Sequence, residues 1–380
     1  MLFRYDKIPD NERRVLDRIA EMRHDLRYHV AQNPRRWTGL LARLTRARAL
    51  RASNSIEGIN VSDEDAIAVI DNEEPTEADK YTWQAVEGYR TAMDFILQRS
   101  RNDNFKFSVD VILAVHFMIS QYDLDSNPGN FRPGWVSVRN TATGEIVHEG
   151  VDRDKLEPLI DELISYMNSS DVDSVLIKAA MIHLNLVMLH PFSDGNGRTA
   201  RCLQTAVLAK EGIVAPMFSS IEEYIGRNQM NYYNVLAEVG GGSWSPTRDC
   251  QPWVRFCMVG HYRQAQTLLR RVREIERVYQ DLLIEVAKHR LPERTAIGLL
   301  EAASGLKIRN ASYRITANVS KNLASRDLKA LVDAGLLVSM GERRGRHYAA
   351  SEVVKEIRGR NRLPKGVDDP FVESLPSLFD

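Results

Sequence analysis

Residues Val175–Leu189 read VLIKAAMIHLNLVML, a helix-length stretch that is apolar on nearly every face. A helix without a polar side belongs at the centre of a bundle, covered all round by other helices. The chain therefore has to supply those neighbours, and most of its 380 residues do read as helix. Two amphipathic patterns fill residues 10–52, interrupted near Asn33-Pro34. Ser62 caps a short helix with Glu64 and Asp65 in its first turn. Further helices are expected at 81–97, at 109–119 and from Asp154, and then at 198–210, 221–239 and 252–288, the last two separated by Gly240-Gly241-Gly242. One stretch breaks the pattern. Asn127-Pro128-Gly129-Asn130 is turn chemistry, and residues 135–148 alternate around a second turn as a β-hairpin does.

After Leu291-Pro292 the character changes. A helix at 295–303, a polar segment, a helix at 319–334 and two short strands around a basic turn at 341–346 follow in winged-helix order. The expected organisation is mainly α. It has an N-terminal helical region (1–105), a helical core with its following helices (106–290), a winged helix-turn-helix domain (291–352) and a loosely held tail (353–380).

Composition narrows the functional classes. The formal net charge is +0, so no global field draws the chain to nucleic acid or to an anionic membrane. No apolar run is long enough to span a bilayer, and the first residues lack the apolar core of a signal peptide. The 3 cysteines have no zinc spacing, which suits free thiols in a cytoplasmic protein without membrane contact.

The central helix runs straight into HPFSDGNGRTAR at 190–201. Pro191 disfavours helical backbone at the residue before it, so the helix stops at His190 and presents the imidazole at its end. Gly195 and Gly197 flank Asn196 and let successive N–H groups converge into an anion-binding nest. A new helix starts at once, with its unsatisfied N–H groups facing the same place. Arg198 and Arg201 are three apart on that helix and share a face, a pair of forks suited to a polyphosphate. Asp194 adds a hard oxygen ligand for Mg2+, and His190 is the nearby group able to take a proton near neutral pH.

This loop resembles the Fic family pattern H-x-F-x-[D/E]-G-N-G-R-x-x-R at every defined position. The resemblance extends over about residues 54–259, including the helix before the loop and the PGNFR sequence ahead of the hairpin. It implies a Fic-fold helical bundle with the hairpin as a flap, and a protein adenylyltransferase that moves AMP from ATP to a Ser, Thr or Tyr hydroxyl of a target protein. By position, His190 is then the base and Asp194 the Mg2+ ligand. Gly195, Asn196 and Gly197 form the anion hole. Arg198 and Arg201 hold the triphosphate, Arg201 on the γ side. His183, two turns earlier on the helix, reads as a packed core residue rather than a second base.

Ser53-Asn54-Ser55-Ile56-Glu57-Gly58 fits the family's inhibitory pattern [S/T]-x-x-x-E-[G/N]. The resemblance implies that Ser53, Glu57 and Gly58 belong to a brake in which Glu57 pairs with Arg201 and keeps it from the γ-phosphate. Tyr233, in the Tyr232-Tyr233 pair, is expected against adenine, with core packing of one of the pair as the competing role. The asparagine that some members place further along has its counterpart near Gly240 and is missing, so nucleotide selectivity stays open.

In the winged helix, Ser320, Lys321, Asn322, Ser325, Arg326 and Lys329 are expected on the exposed side of one helix, and Arg343, Arg344 and Arg346 on the wing. These residue types contact DNA, and winged helices attached to enzymes also dock proteins. Self-modification and a homodimer are open alternatives among the partners. Two other functions remain at this stage. The same site could remove AMP or transfer another group, or the chain could be a DNA-binding regulator with a nucleotide-sensing core.

Overall fold

The computed structural model describes residues 1–32, 35–75, 77–140, 143–170, 173–210, 220–342, 346–366 and 369–372. The Asn33-Pro34 interruption, Arg343 and Arg344 lie outside them. In chain order the helices are α1 (Asp10–Gln32), α2 (Arg35–Ile56), α3 (Asp63–Asp71), α4 (Lys80–Ser100), α5 (Val109–Ser120), α6 (Arg153–Asn168), α7 (Val175–Leu189), α8 (Asn196–Lys210), α9 (Glu222–Arg227), α10 (Gln229–Gly240), α11 (Gln251–Lys288), α12 (Thr295–Ala303), α13 (Asn310–Ala317), α14 (Lys321–Asp333) and α15 (Glu352–Arg360). The strands are β1 (Ser137–Arg139), β2 (Ile146–Glu149), β3 (Gly242–Ser243), β4 (Leu337–Met340) and β5 (His347–Ala350). Among the described residues, no helix is long and apolar enough to cross a membrane.

The chain forms two compact units, one of residues 1–24, 43–265 and 367–380, the other of residues 25–42 and 266–366. The expected boundaries at 105 and 290 do not coincide with these. The observed divisions near 24, 42 and 265 fall inside α1, α2 and α11, where the helical pattern of the sequence runs on without a break.

In the first unit the apolar helix α7 is central. Every residue from Leu176 to Leu186 is buried, and α8 and α6 pack directly on α7. α4 lies against α5 and α8, and α3 against α4. Ser62 caps α3 as expected, its side chain accepting from the Asp65 N–H at 3.0 Å. The hairpin is shorter than 135–148. β1 and β2 are antiparallel, pairing Val138 with His148, and Trp135 precedes the strand. The triglycine run is more than a separator, because β3, which starts at its last glycine, pairs parallel to β2 and gives the sheet order β1-β2-β3. β2 is thus the middle strand, with β1 and β3 at the edges. The single helix expected at 221–239 breaks at Asn228 into α9 and α10. The cysteines Cys202, Cys250 and Cys257 are buried free thiols.

The second unit contains the helices and ribbon of the winged-helix order, with two differences. The polar segment after α12 is itself a helix, α13, closed by Asn318 in left-handed backbone. Its short length and polar text gave no apolar period to read. The segment assigned to the tail begins with α15, which buries Val354 and Ile357. A buried acid ties three helix segments together. Asp327 of α14 takes two hydrogen bonds from Arg294, each 2.8 Å, and one of 3.0 Å from the Tyr313 hydroxyl of α13. The opposite face of α14 is exposed and carries Lys321, Asn322, Ser325, Arg326 and Lys329, with Ser320 as its N-cap.

Candidate active site

α7 ends at Leu189, and His190 caps it at φ 51°, ψ 59°. Pro191 disfavours right-handed helix there, and the backbone adopts the left-handed region at a cost of about 1–2 kcal/mol. The imidazole Nδ1 is 3.2 Å from the Val187 carbonyl. A carbonyl only accepts, so the ring proton sits on Nδ1 and the Nε2 lone pair is free. Burial pushes the His190 pKa down to about 4, against the Val187 bond, with His148 and Arg132 adding to the depression. At neutral pH the ring is therefore uncharged, in the form a general base needs.

Two groups that sequence reading left without a role hold this residue in place. Arg132, from PGNFR, is buried. Its backbone N–H donates to the Pro191 carbonyl at 2.9 Å, and its Nε to the His190 carbonyl at 2.8 Å. Its two remaining nitrogens reach the carbonyls of Gly134 and Val151, one on each side of the hairpin. One guanidinium thus ties both feet of the hairpin to the turn that carries His190. His148 of β2 makes a second tie, donating from Nε2 to the Met188 carbonyl at 2.8 Å.

The loop after Pro191 is closed by Asn196, whose amide accepts from the Phe192 N–H and donates to the Phe192 carbonyl, both at 2.9 Å. Its side chain is therefore committed to the loop, and only its backbone N–H is left for an anion. His116 of α5 stacks on Phe192 with ring centroids 3.7 Å apart. The Gly129 N–H donates to His116 Nδ1 at 2.9 Å, so Nε2 carries the proton and donates to the Asp194 carbonyl at 3.0 Å. Gly195 has φ 76°, and a Cβ there would lie 2.8 Å from Ser120 Oγ. Only glycine fits that position. α8 begins at Asn196, two residues before the expected start, so the N–H groups of Asn196, Gly197 and Arg198 all belong to its unbonded first turn.

Both arginines of α8 are buried, and each holds a carboxylate. Arg198 Nη2 is 2.9 Å from Asp194 Oδ2, and its Nη1 donates to the Tyr122 hydroxyl at 3.0 Å. Arg201 Nη2 is 2.8 Å from Glu57 Oε1 and 3.0 Å from the Ser53 carbonyl, while Nε donates to Ser53 Oγ at 2.8 Å. Gly58 follows at φ 78° and ends α2 as expected. Arg198 Nε and Arg201 Nη1 are buried without a hydrogen-bond partner. Unspent guanidinium donors beside a helix N-terminus fit an anion. Among the described residues no group of three or more His, Cys, Asp or Glu could hold a metal. Mg2+ bound through one carboxylate and substrate phosphates needs no such cage, and the Asp194 side chain is 56% exposed.

The tyrosine pair divides. Tyr232 is buried beside His183 and Trp253, and its hydroxyl is 3.1 Å from His183 Nε2. His183 Nδ1 is 2.6 Å from Gln204 Oε1, which makes this histidine a satisfied core residue. Tyr233 is 41% exposed and donates its hydroxyl to the Ile56 carbonyl at 2.8 Å. Gly240 is a point of close approach. A Cβ there would lie 2.9 Å from Met188 Sδ, so no asparagine could occupy it unless Met188 moved.

Residues 106–208 match the Fic/DOC family. The chain is 25% identical over 173 residues to a protein named protein adenylyltransferase Fic from Nematostella vectensis, covering 45% of this chain and 36% of that one. It is 29% identical over 171 residues to a protein of the same name from Aedes aegypti, covering 44% and 30%. The chain thus spans about a third of the length of these relatives. Among solved structures it resembles a Fic family protein from Desulfovibrio desulfuricans G20, with a TM-score of 0.59, 19% identity, and coverage of 91% of this chain and 97% of that one. A Fic domain containing signaling protein from Bacteroides thetaiotaomicron VPI-5482 gives a TM-score of 0.55 at 19% identity, covering 67% and 96%.

Proposed function

We propose that this chain, whose residues 106–208 are a Fic-type domain, is a protein adenylyltransferase held in check by Glu57. The observation that carries the reading is the pairing of a neutral His190 with the unbonded N–H groups at the start of α8 and the unspent donors of Arg198 and Arg201. His190 Nε2 takes the proton of a Ser, Thr or Tyr hydroxyl on the target. The hydroxyl oxygen then bonds to the α-phosphorus of ATP, the bond from that phosphorus to the bridging oxygen breaks, and pyrophosphate leaves. Asp194 would hold Mg2+, which neutralises phosphate charge when bound. The N–H groups at the start of α8 and the Arg198 fork stabilise the charge that develops, and positioning contributes most of the rate. The Tyr233 ring is the surface offered to the base. An extended target segment would add to β1, since β3 already occupies the other side of the sheet.

The Ser53–Glu57 segment engages three donors on Arg201. While it does so only Nη1 of the guanidinium is left for the γ-phosphate. Mass spectrometry of Glu57→Gly protein incubated with Mg2+ and ATP tests the reading. A gain of one AMP, lost again in Glu57→Gly/His190→Ala, is expected. Nucleotide consumption with no AMP retained on protein would favour a hydrolase at the same site.

A specific feature favours a second activity in the winged helix. Residues 291–366 contain 15 Lys and Arg against 7 Asp and Glu, so they carry +8 while the rest of the neutral chain carries −8. Among the described residues, the exposed Arg314, Lys321, Arg326 and Lys329 make no ion pair, whereas Arg294 and Lys355 of the same unit do. A helix face of unpaired cations and amides beside a two-stranded ribbon suits duplex DNA. Fluorescence anisotropy with a labelled duplex should show binding that weakens with salt and is reduced in Arg326→Glu. Absence of binding at low salt would leave protein docking as the role.

A further inference from the structure

The proposed brake depends on where Glu57 is held, and α10 holds it. The last carbonyls of a helix have no partner of their own. In α2 the Asn54 and Ser55 carbonyls are closed locally, by the N–H groups of Glu57 and Ile59 at 3.0 and 3.1 Å and of Gly58 at 3.1 Å. The Ile56 carbonyl takes two side chains from α10 instead. Gln229 Nε2 donates to it at 2.9 Å and the Tyr233 hydroxyl at 2.8 Å. Gln229 and Tyr233 are four apart and therefore share one face of α10. The Ile56 carbonyl and the Glu57 N–H belong to the same planar peptide. Pinning both ends of that plane sets the direction from which Glu57 reaches Arg201. One turn back along α2, Ala52 meets α9 at Gly226. A Cβ there would lie 2.9 Å from Ala52 Cβ and 3.2 Å from its Cα and carbonyl oxygen, so a glycine allows the two helices to come this close.

We infer that Gln229 is a positioning residue for Glu57, acting with Tyr233 as a latch on the Ile56 carbonyl that keeps the inhibitory segment on Arg201. This rests on the reading of Glu57 as a brake. Because Tyr233 is also the residue offered to the nucleotide base, the latch places the state of the brake and the occupancy of the base pocket on one side chain. Gln229 makes no contact with His190, Asp194 or either arginine in any hydrogen bond among the described residues. Its loss should therefore act through Glu57.

The test uses the full chain with Mg2+ and ATP labelled at the α-phosphate, together with hydrogen exchange of the amides of residues 53–59 without nucleotide. Gln229→Met removes the donor and keeps the bulk. It should raise AMP incorporation by roughly 3- to 10-fold, the factor for one lost hydrogen bond, and speed exchange over residues 53–59. Gln229→Lys, which can still donate, should stay near the unaltered protein in both. Adding Gln229→Met to Glu57→Gly should give no further rise. Unchanged exchange in Gln229→Met overturns the latch whatever the labelling shows. So does unchanged labelling in Gln229→Met when Glu57→Gly alone is strongly activated. If Glu57→Gly is itself silent, the brake fails separately, and faster exchange in Gln229→Met still supports the latch as the structural support of this segment.

Discussion

Arg198 and Arg201 stand one turn apart on α8, are equally buried and each grip a carboxylate, yet the two grips differ in kind. Asp194, the partner of Arg198, comes from the same loop, and its side chain is 56% exposed. Glu57, the partner of Arg201, comes from 144 residues away and is 27% exposed. A local pair whose carboxylate is more than half open to water exchanges that partner for solvent readily. A pair whose carboxylate is more enclosed, on an arginine that Ser53 also holds, is harder to open, because separating it leaves a buried charge with less compensation. The first pair is suited to giving way when Mg2+ and phosphates arrive. The second is suited to resisting them.

The comparison predicts effects of opposite sign. Asp194→Asn should lower AMP transfer by on the order of 100- to 1,000-fold, and a titration with Mg2+ should show a raised requirement for the metal. Glu57→Gly should raise transfer by roughly 10- to 100-fold, within the usual range of a coupling between sites. If both substitutions lowered labelling from ATP, Glu57 would be part of the machinery rather than its restraint.

The pH dependence separates the base from the pairs around it. His190 is held at about pKa 4, below its ordinary value. Its base form is therefore present at neutral pH and is lost only as pH falls through about 4. In the Glu57→Gly protein, kcat/KM should be level from pH 7 down to about 5 and fall by half near 4. A midpoint near 6.5 would mean that the imidazole is not enclosed as the structure has it.

The smallest effect concerns an acid behind the second pair. Glu222 is buried and hydrogen-bonded to the Tyr89 hydroxyl. Burial raises its pKa to about 7, with Tyr89 and the nearby Arg201 opposing the rise. A folded-state pKa above the unfolded one stabilises the fold at low pH, and that contribution is lost as pH rises through about 7. Glu222→Gln, which cannot ionise, should raise the Tm at pH 8 by roughly 2–4 °C and have less effect at pH 5.5. Equal shifts at both pH values would exclude titration of Glu222 as the cause.

Much of the molecule was legible before its structure. The bounds of α7 and α12 follow from their apolar text, because a buried helix is marked by its own composition. The turn at Pro191, the glycine at 195 and the stop at Gly58 follow from backbone sterics, which act within a residue or two. The same locality explains what was missed. α13 is too short and polar for a period to show. β3 has only two residues, and its pairing to β2 depends on a neighbour from far along the chain. His116 looked like any histidine in an apolar helix, and Arg132 like one more cation before a turn.

The sequence by itself determined a central apolar helix and a phosphate-shaped loop at its end, and both rest on local rules of backbone and charge. The pairing of Glu57 with Arg201 was an expectation from the resemblance of residues 53–58 to an inhibitory pattern, not from any local rule. Only the tertiary structure decided how the groups are used. It put the proton of His190 on Nδ1, gave the side chain of Asn196 to the loop and joined the hairpin to the site through Arg132. It also brought α10 to the end of α2, so that Gln229 and Tyr233 share one carbonyl. Hydrogen bonds between distant residues depend on how the chain is packed, and spacing along the sequence carries no record of them.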